Sequence, residues 1–314
     1  MKTAVITGAN GFVGFALLSE LLSHDYNIIA LIRPSSVISF NNKLKGLSSC
    51  GLDISRVEIL PVDLGDFDEM RHSLRNTDAS IDAFYHLAWN GSSGLKRRDI
   101  DLQLSNVNIS VQLIRIASDL ECRTFVGAGS ITEDVVLKMS YERGGKTTLD
   151  HLYSTAKLES HLTSQIIAQK EGLDFRWAKI TNAYGAGENE SHLVPSTLKK
   201  LINGEPCEFI RGDQLYDFVY VTDVARAFRL IGENGKNMEV YHIGSGKAAP
   251  LKSFIDTMYE VTGSNSPLDF SGDPEHICYL PKTTFSIDTL TRDTGFAPEV
   301  SFEEGVRKTL EAMR

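Results

Sequence analysis

The sequence predicts an α/β fold, a doubly wound parallel sheet followed by a smaller C-terminal lobe. Three observations predict it. Short β-branched runs alternate with amphipathic segments through the first 180 residues. The runs are apolar throughout, as strands covered on both faces must be. The first run leads through a glycine-rich turn directly into the first amphipathic segment.

In chain order, the expected strands are Ala4–Thr7, Ile28–Ile32, Val57–Val62, Ala83–Leu87, Thr124–Gly127 and Phe175–Ile180. Helical patterns cover Gly11–Ser23, Phe67–Leu74 and Leu102–Ser118 between them. In the last, Leu102, Asn106, Ile109, Leu113 and Ile116 share one face at three- and four-residue spacing. A sheet of this kind binds ligands beyond the carboxyl ends of its strands. After about Ile180 the rhythm changes, and Gly, Pro and Asn become frequent through Asn182–Gly212 and Gly263–Pro281. Two apolar runs, Phe218–Val221 and Val240–Ile243, are candidates to return as strands to the first lobe.

The first expected strand ends in Thr7-Gly8-Ala9-Asn10-Gly11-Phe12-Val13-Gly14. Glycines there let backbone amides approach a pyrophosphate, which the positive end of the following helix attracts. The strand–turn–helix context makes this a dinucleotide cradle formed by Gly8, Asn10, Gly11, Phe12, Val13 and Gly14. Residues 1–180 are thus read as an NAD(P)-binding Rossmann domain, with strands returning from 214–246, and 181–314 as a substrate-binding lobe. The second strand distinguishes the two nucleotides, because an acid at its end would hold the ribose hydroxyls of NAD. Here Ile32 stands in that place, followed by Arg33-Pro34-Ser35-Ser36. A guanidinium with hydroxyl partners suits a 2′-phosphate, so NADP(H) is favoured over NAD(H). Asp63 and Leu64, closing the third strand, are placed beside the adenine, and Leu87 and Ala88 at the fourth strand's end.

Composition narrows the alternatives. The 314 residues are 42% hydrophobic and 23% charged, as in a soluble globular protein. Net charge is −9, which disfavours a nucleic-acid partner, and the run Lys96-Arg97-Arg98 is too short to reverse that. The cysteines Cys50, Cys122, Cys207 and Cys278 form no metal-binding or redox pair, so reduced, buried thiols are expected and no metal. Met1-Lys2-Thr3-Ala4 runs directly into a strand and no apolar stretch approaches the ~20 residues of a membrane span. A cytoplasmic location and no membrane partner are expected.

Tyr153 and Lys157 start a long helical pattern with Leu158, Leu162 and Ile166 expected on its buried side. Residues four apart share a helix face, so phenol and ammonium point into one space. A nearby cation favours the phenolate, which lets Tyr153 exchange a proton with an alcohol or ketone while a nicotinamide exchanges hydride. Ser130 ends an apolar strand about twenty residues earlier and can hydrogen-bond the same oxygen.

The glycine turn, His86-Leu87-Ala88, Asn106-Val107, Ser130, Tyr153 and Lys157 together resemble the extended short-chain dehydrogenase/reductases, the NAD(P)-dependent epimerase/dehydratase family. Asn182-Ala183-Tyr184-Gly185 resembles that family's N-x-Y-G-P turn, with Ala186 in place of the proline. Tyr216–Val224 is similar to its R-D-F-x-x-V-x-D-V segment. The resemblance implies Ser130, Tyr153 and Lys157 as the catalytic triad, Asn106 in a supporting relay, Asn182 near a sugar, and a homodimer formed through Leu102–Ser118 and Tyr153–Gln169.

Family members run dehydration, epimerisation and ketone reduction on nucleotide sugars. Dehydratases carry an Asp-Glu pair directly after the triad hydroxyl, where this chain has Ile131 and Thr132, with Glu133 one place late. Ser191–Pro195 resembles a segment of a family branch in which a His and a Cys epimerise the ketosugar. His192 matches the His, and Thr132 stands where the Cys would be. Tyr216 replaces an Arg that grips the substrate diphosphate, and a second such Arg, near Gly272-Asp273, is absent. Trp89 is either a stacking surface for a sugar or base or a packed side chain. The leading expectation is an NADPH-dependent reductase of a nucleotide-linked 4-keto-6-deoxy sugar. An NAD-dependent nucleotide-sugar epimerase and a non-catalytic dinucleotide-binding regulator are the alternatives.

Overall fold

A computed structural model describes residues 1–77, 79–142, 146–272 and 279–313. The chain divides into two compact units, Met1–Lys179 with Ala225–Tyr241, and Ile180–Val224 with His242–Arg314.

The first unit alternates strand and helix as the apolar runs require. Strands β1 (Lys2–Thr7), β2 (Tyr26–Ile32), β3 (Val57–Pro61), β4 (Ala83–His86), β5 (Thr124–Ser130) and β6 (Asp174–Ile180) are separated by helices. These are α1 (Phe12–Ser23), α2 (Val37–Ser49), α3 (Phe67–Arg75), α4 (Ile100–Asp119), α5 (Thr132–Tyr141) and α6 (Leu152–Glu171). Four shorter strands follow in the second unit, β7 (Asn182–Tyr184), β8 (Cys207–Ile210), β9 (Leu215–Tyr216) and β10 (Phe218–Tyr220). Then β11 (Glu239–Ile243) completes a seven-stranded sheet of order β11-β6-β5-β4-β1-β2-β3. The pairings β3–β2, β2–β1, β1–β4 and β4–β5 are parallel. The strand order reverses between β1 and β4, the crevice in which such sheets receive a ligand.

The core of this unit is aromatic where β4, β5 and β6 meet. Phe84, Phe125, Phe175 and Trp177 form a stacked series with centroids 5.3, 6.2 and 6.0 Å apart. Each such contact adds about 0.5–1.5 kcal/mol beyond area burial. The segment Ala225–Tyr241 is tied to this unit through charge as well as strand pairing. Arg229 bonds Glu20 at 2.8 Å and Glu233 at 2.7 Å, and Glu233 also accepts from Lys2 and Tyr26.

The structure corrects three expectations. Phe218–Tyr220 does not return to the large sheet; it pairs in parallel with β7, where the Asn182 amide donates to the Asp217 carbonyl. Leu162 and Ile166 of α6 are 46% and 65% exposed. The inner face of that helix is instead small and polar (Ser154, Ala156, Ser160, Ser164), which lets α4 pack closely against it. Cys50 is exposed at the end of α2, whereas Cys122 and Cys207 are buried as expected. Cys278 lies outside the described residues. Among the described residues, no helix is long and apolar enough to cross a membrane.

In the second unit, Asp217 is wholly buried and accepts from the backbone of Ser245 and Gly246 at 3.0 and 3.1 Å, and from the Ser245 hydroxyl. Asp223 accepts from the amides of Glu299 and Val300. The two acids of the Tyr216–Val224 segment therefore pin backbone.

Candidate active site

The glycine-rich turn lies where β1 and β4 diverge. Gly8 has φ +76°, and a Cβ there would lie 2.7 Å from the Ala88 amide, so the close approach of the two strand ends requires glycine. A Cβ on Gly14 would lie 2.1 Å from the Gly8 carbonyl, so that glycine seats α1 against the turn. Gly11 caps α1, and Phe12 and Val13 lie half-buried in its first turn. A cavity of about 250 Å³ opens over these ends. Gly8, Asn10 and Gly11 line it from the first strand end, Ile32 and Arg33 from the second, Asp63 and Leu64 from the third, and Ala88, Trp89 and Asn90 from the fourth. Leu87 is half-buried, and its amide bonds the Thr7 carbonyl.

The chemistry of this lining fits a dinucleotide. Asn10 Oδ1 is buried without a hydrogen-bond partner among the described residues, an acceptor suited to a ribose hydroxyl. The exposed Arg33 guanidinium donates to Asn90 Oδ1 at 2.8 Å and forms no ion pair among the described residues. Ile32 presents no carboxylate beside it, and Ser36 lines the same cavity. Asp63 accepts from the Gly65 amide at 3.0 Å, which shapes the turn after β3.

Tyr153 and Lys157, one turn apart on α6, are both buried. Lys157 Nζ donates to the Ala128 carbonyl at 2.8 Å and lies 3.8 Å from the centroid of the Trp89 ring. Burial lowers its pKa to about 7, while the Glu133 carboxylate pulls upward. Burial raises the Tyr153 phenol above its ordinary value; the Arg97 guanidinium and a hydrogen bond with Ser130 act against that rise. Arg97 Cζ lies 4.2 Å from the centre of the Tyr153 ring, and Trp89 meets the same ring edge-on at 5.9 Å. Ser130 Oγ is also 3.0 Å from Thr132 Oγ1 and accepts from the Thr132 amide at 3.2 Å. Ser130, Thr132, Tyr153, Lys157 and Trp89 thus lie together at the ends of β4 and β5.

The Glu133 carboxylate is engaged by structural partners, with Lys179 Nζ also 3.8 Å from Oε2. It is wholly buried; Oε1 accepts from the Ser130 amide at 2.8 Å, and both oxygens accept from Trp177 Nε1 at 3.1 and 3.2 Å. His161 stacks on Trp177 at 5.0 Å and bonds Glu133 Oε2 at 3.2 Å. Cβ atoms on Gly127 or Gly129 would lie 2.3 Å from Trp177, so the small end of β5 makes room for that indole.

A second buried chain of bonds supports the β4 side. The Ala88 amide donates to Thr7 Oγ1, which meets His86 Nδ1 at 2.8 Å; His86 Nε2 meets Ser110 Oγ at 3.0 Å. Ser110 donates in turn to the Asn106 carbonyl. Burial, followed by the Lys157 charge, lowers the His86 pKa to about 3, so the imidazole is neutral. The Asn106 side chain bonds both the amide and the carbonyl of Asn90.

The remaining sequence-predicted residues belong to the second unit. Asn182 opens β7; His192 caps α7 (Leu193–Asn203) and meets Glu188 at 3.0 Å; Tyr216 stacks on Phe218 at 5.5 Å. Asp273 lies outside the described residues.

Sequence reasoning missed Gln103. This residue is fully buried, accepts from Trp89 Nε1 at 2.9 Å and donates to the carbonyls of Gly91 and Lys96. Its only signal was a polar residue one place after Leu102 on the α4 pattern. Arg97 was visible only as part of a basic run.

The model of the NAD dependent epimerase/dehydratase family matches residues 4–244. The chain is 26% identical over 312 residues to the CDP-abequose synthase of Salmonella muenchen, covering 98% of this chain and 97% of that protein. It is 22% identical to the dTDP-4-dehydro-6-deoxyglucose reductase of Escherichia coli, covering 99% and 97%. The solved structure of dTDP-glucose 4,6-dehydratase from Bacillus anthracis in complex with NAD superposes with a TM-score of 0.79 at 16% identity, over 99% of this chain and 96% of that one.

Proposed function

The chain belongs to the NAD dependent epimerase/dehydratase family, and on that premise we propose that it is an NADPH-dependent reductase of a nucleotide-linked 4-keto-6-deoxy sugar. As an extended short-chain dehydrogenase/reductase it is an NAD(P)-dependent enzyme. The observation that carries the finer reading is the commitment of Glu133 to Trp177, His161 and the Ser130 amide. With Ile131 and Thr132 beside it, and Asp134 accepting from Lys179 Nζ at 3.0 Å, both carboxylates of α5's first turn are engaged, whereas Ser130, Tyr153 and Lys157 suffice for ketone reduction. The two relatives named as a CDP-abequose synthase and a dTDP-4-dehydro-6-deoxyglucose reductase support a nucleotide-linked ketosugar. Arg33, with Ile32 in the place of an acid, supports NADPH.

The bound cofactor supplies the hydride. Gly8, Asn10, Gly11, Phe12, Val13 and Gly14 hold its pyrophosphate side, Arg33 its 2′-phosphate, and Asp63, Leu64, Leu87 and Ala88 flank the adenosine and nicotinamide halves. Ser130 binds the carbonyl oxygen and Tyr153 donates a proton to it as the carbon is reduced. Lys157 orients the ribose. Trp89 and Thr132 contact the substrate in this reading; Asn182, His192 and Tyr216 are assigned to it by the resemblance alone. The exposed Ile100, Leu104, Leu162 and Ile166 on α4 and α6 support a homodimer; a cytoplasmic location belongs to the same proposal.

The test is turnover of CDP- and dTDP-4-keto-6-deoxyglucose with NADPH and NADH by the native enzyme and Tyr153→Phe. Loss of turnover of about 10²–10⁴-fold with nucleotide binding retained is expected. A fully active variant, or stoichiometric NAD released from the denatured native protein, overturns the reading.

A further inference from the structure

We propose that Arg97 is a positioning residue that acts through Tyr153, its guanidinium held over the phenol ring to stabilise the charge left when the proton departs. This rests on the reading of Tyr153 as proton donor. In that step the Tyr153 O–H bond breaks, an O–H bond forms on the substrate oxygen, and the phenolate regains its proton from solvent. A phenolate spreads its charge into the ring, so a cation 4.2 Å from the ring centre is attracted more strongly to it than to the neutral phenol.

Three features assign this to Arg97 in particular. It is half-buried, yet forms no ion pair among the described residues, in a chain with a net charge of −9. Its neighbours are tied down on both sides. The Lys96 carbonyl accepts from the buried Gln103 at 3.0 Å, and Arg98 is paired with Asp150. Asp99 then caps α4 by accepting from the Leu102 amide. Backbone held this way on both sides limits the positions from which the Arg97 side chain can leave the ring.

The other charges around the phenol do not replace it. Lys157, on the same helix, directs its ammonium to the Ala128 carbonyl and the Trp89 ring, and retains its proton only to about 7. From α5, the Glu133 carboxylate opposes ionisation of Tyr153. From β5, Ser130 offers a neutral hydroxyl, and His86 behind Lys157 is uncharged. Arg98 and Asp150 largely cancel each other. Arg97 is the cation that lies over the face of the phenol ring itself.

The deciding experiment follows Tyr153 by carbon NMR of protein labelled at the tyrosine Cζ, with its resonance identified by loss in Tyr153→Phe. Arg97→Met is expected to raise the Tyr153 midpoint by about one pH unit, and Arg97→Lys to restore at least part of it. The alkaline limb of kcat for ketosugar reduction moves by the same amount, because a proton donor is competent below its midpoint. An unchanged midpoint in both variants overturns the proposal while Tyr153→Phe is still inactive. Full activity of Tyr153→Phe instead ends the underlying reading of the site.

Discussion

Lys157 Nζ lies 3.8 Å from the centroid of the Trp89 ring, and the Trp89 Nε1 donates to Gln103 Oε1. The ammonium is therefore sandwiched between an indole face and the Ala128 carbonyl, with no carboxylate of the described residues in direct contact. Such a charge is stabilised by about 0.5–2 kcal/mol through the ring, less than its loss of hydration.

That imbalance has a sign that can be measured. Burial lowers Lys157 from 10.5 to about 7, so between those values the folded chain holds one proton fewer than the unfolded chain. Its contribution to stability is full above about 10.5 and lost as pH falls through about 7. In urea melts at pH 7.5 and 9, the native protein should gain on Lys157→Met by up to about 1.4 kcal/mol per pH unit. Parallel stability curves for the two proteins would contradict a buried, titrating ammonium.

Arg33 provides a separate test of nucleotide choice. Removing one charge-assisted contact to a phosphate costs roughly 1.5–3 kcal/mol, or about 10- to 100-fold in affinity. Arg33→Ala should therefore raise KM for NADPH by that factor and leave KM for NADH within about twofold. Steady-state kinetics with both nucleotides check this. Equal losses would assign Arg33 to the Asn90 loop, which it also contacts, and not to a 2′-phosphate.

Glu133 should behave as an architectural acid. Glu133→Ala leaves Trp177 Nε1 and the Ser130 amide without their acceptor and His161 without its partner. A loss of about 3–5 kcal/mol in unfolding free energy is expected, as for breaking a buried pair. Glu133→Gln keeps an acceptor oxygen and should retain turnover within about tenfold at about 1–3 kcal/mol lower stability. Calorimetry and initial rates together decide it; a stable but inactive Glu133→Gln would make this carboxylate part of the chemistry.

The first six strands were legible because parallel strands buried on both faces leave unbroken apolar runs, and all six lie within a few residues of their predicted bounds. The tight turn after β1 was equally legible, since Gly8 and Gly14 answer to backbone clashes that only glycine avoids. Tyr153 and Lys157 were found by helical spacing, which local geometry enforces. What spacing could not reveal is which face of α6 turns inward. Leu162 and Ile166 suggested an apolar inner face, whereas close packing against α4 selected serines and alanine. Nor could a linear pattern show that Gln103, Trp89 and Arg97 converge, because their contacts are made by irregular backbone between β4 and α4. Glu133 was seen as a displaced acid; its true environment depends on Trp177, 44 residues away.

The return of Ala225–Tyr241 has a consequence for the order in which the protein is made. Phe175 bonds Asn237 across a separation of 62 residues, and Met238 donates to the Phe175 carbonyl. At a translation rate of about 5–20 residues per second, the open side of β6 waits roughly 3–12 s for its partner to be synthesised. Through that interval the nascent sheet presents an unpaired edge, the feature from which strand-to-strand aggregation begins. A ribosome pausing within residues 181–224 would lengthen the exposure, so the tempo of decoding that stretch bears on the yield of folded enzyme.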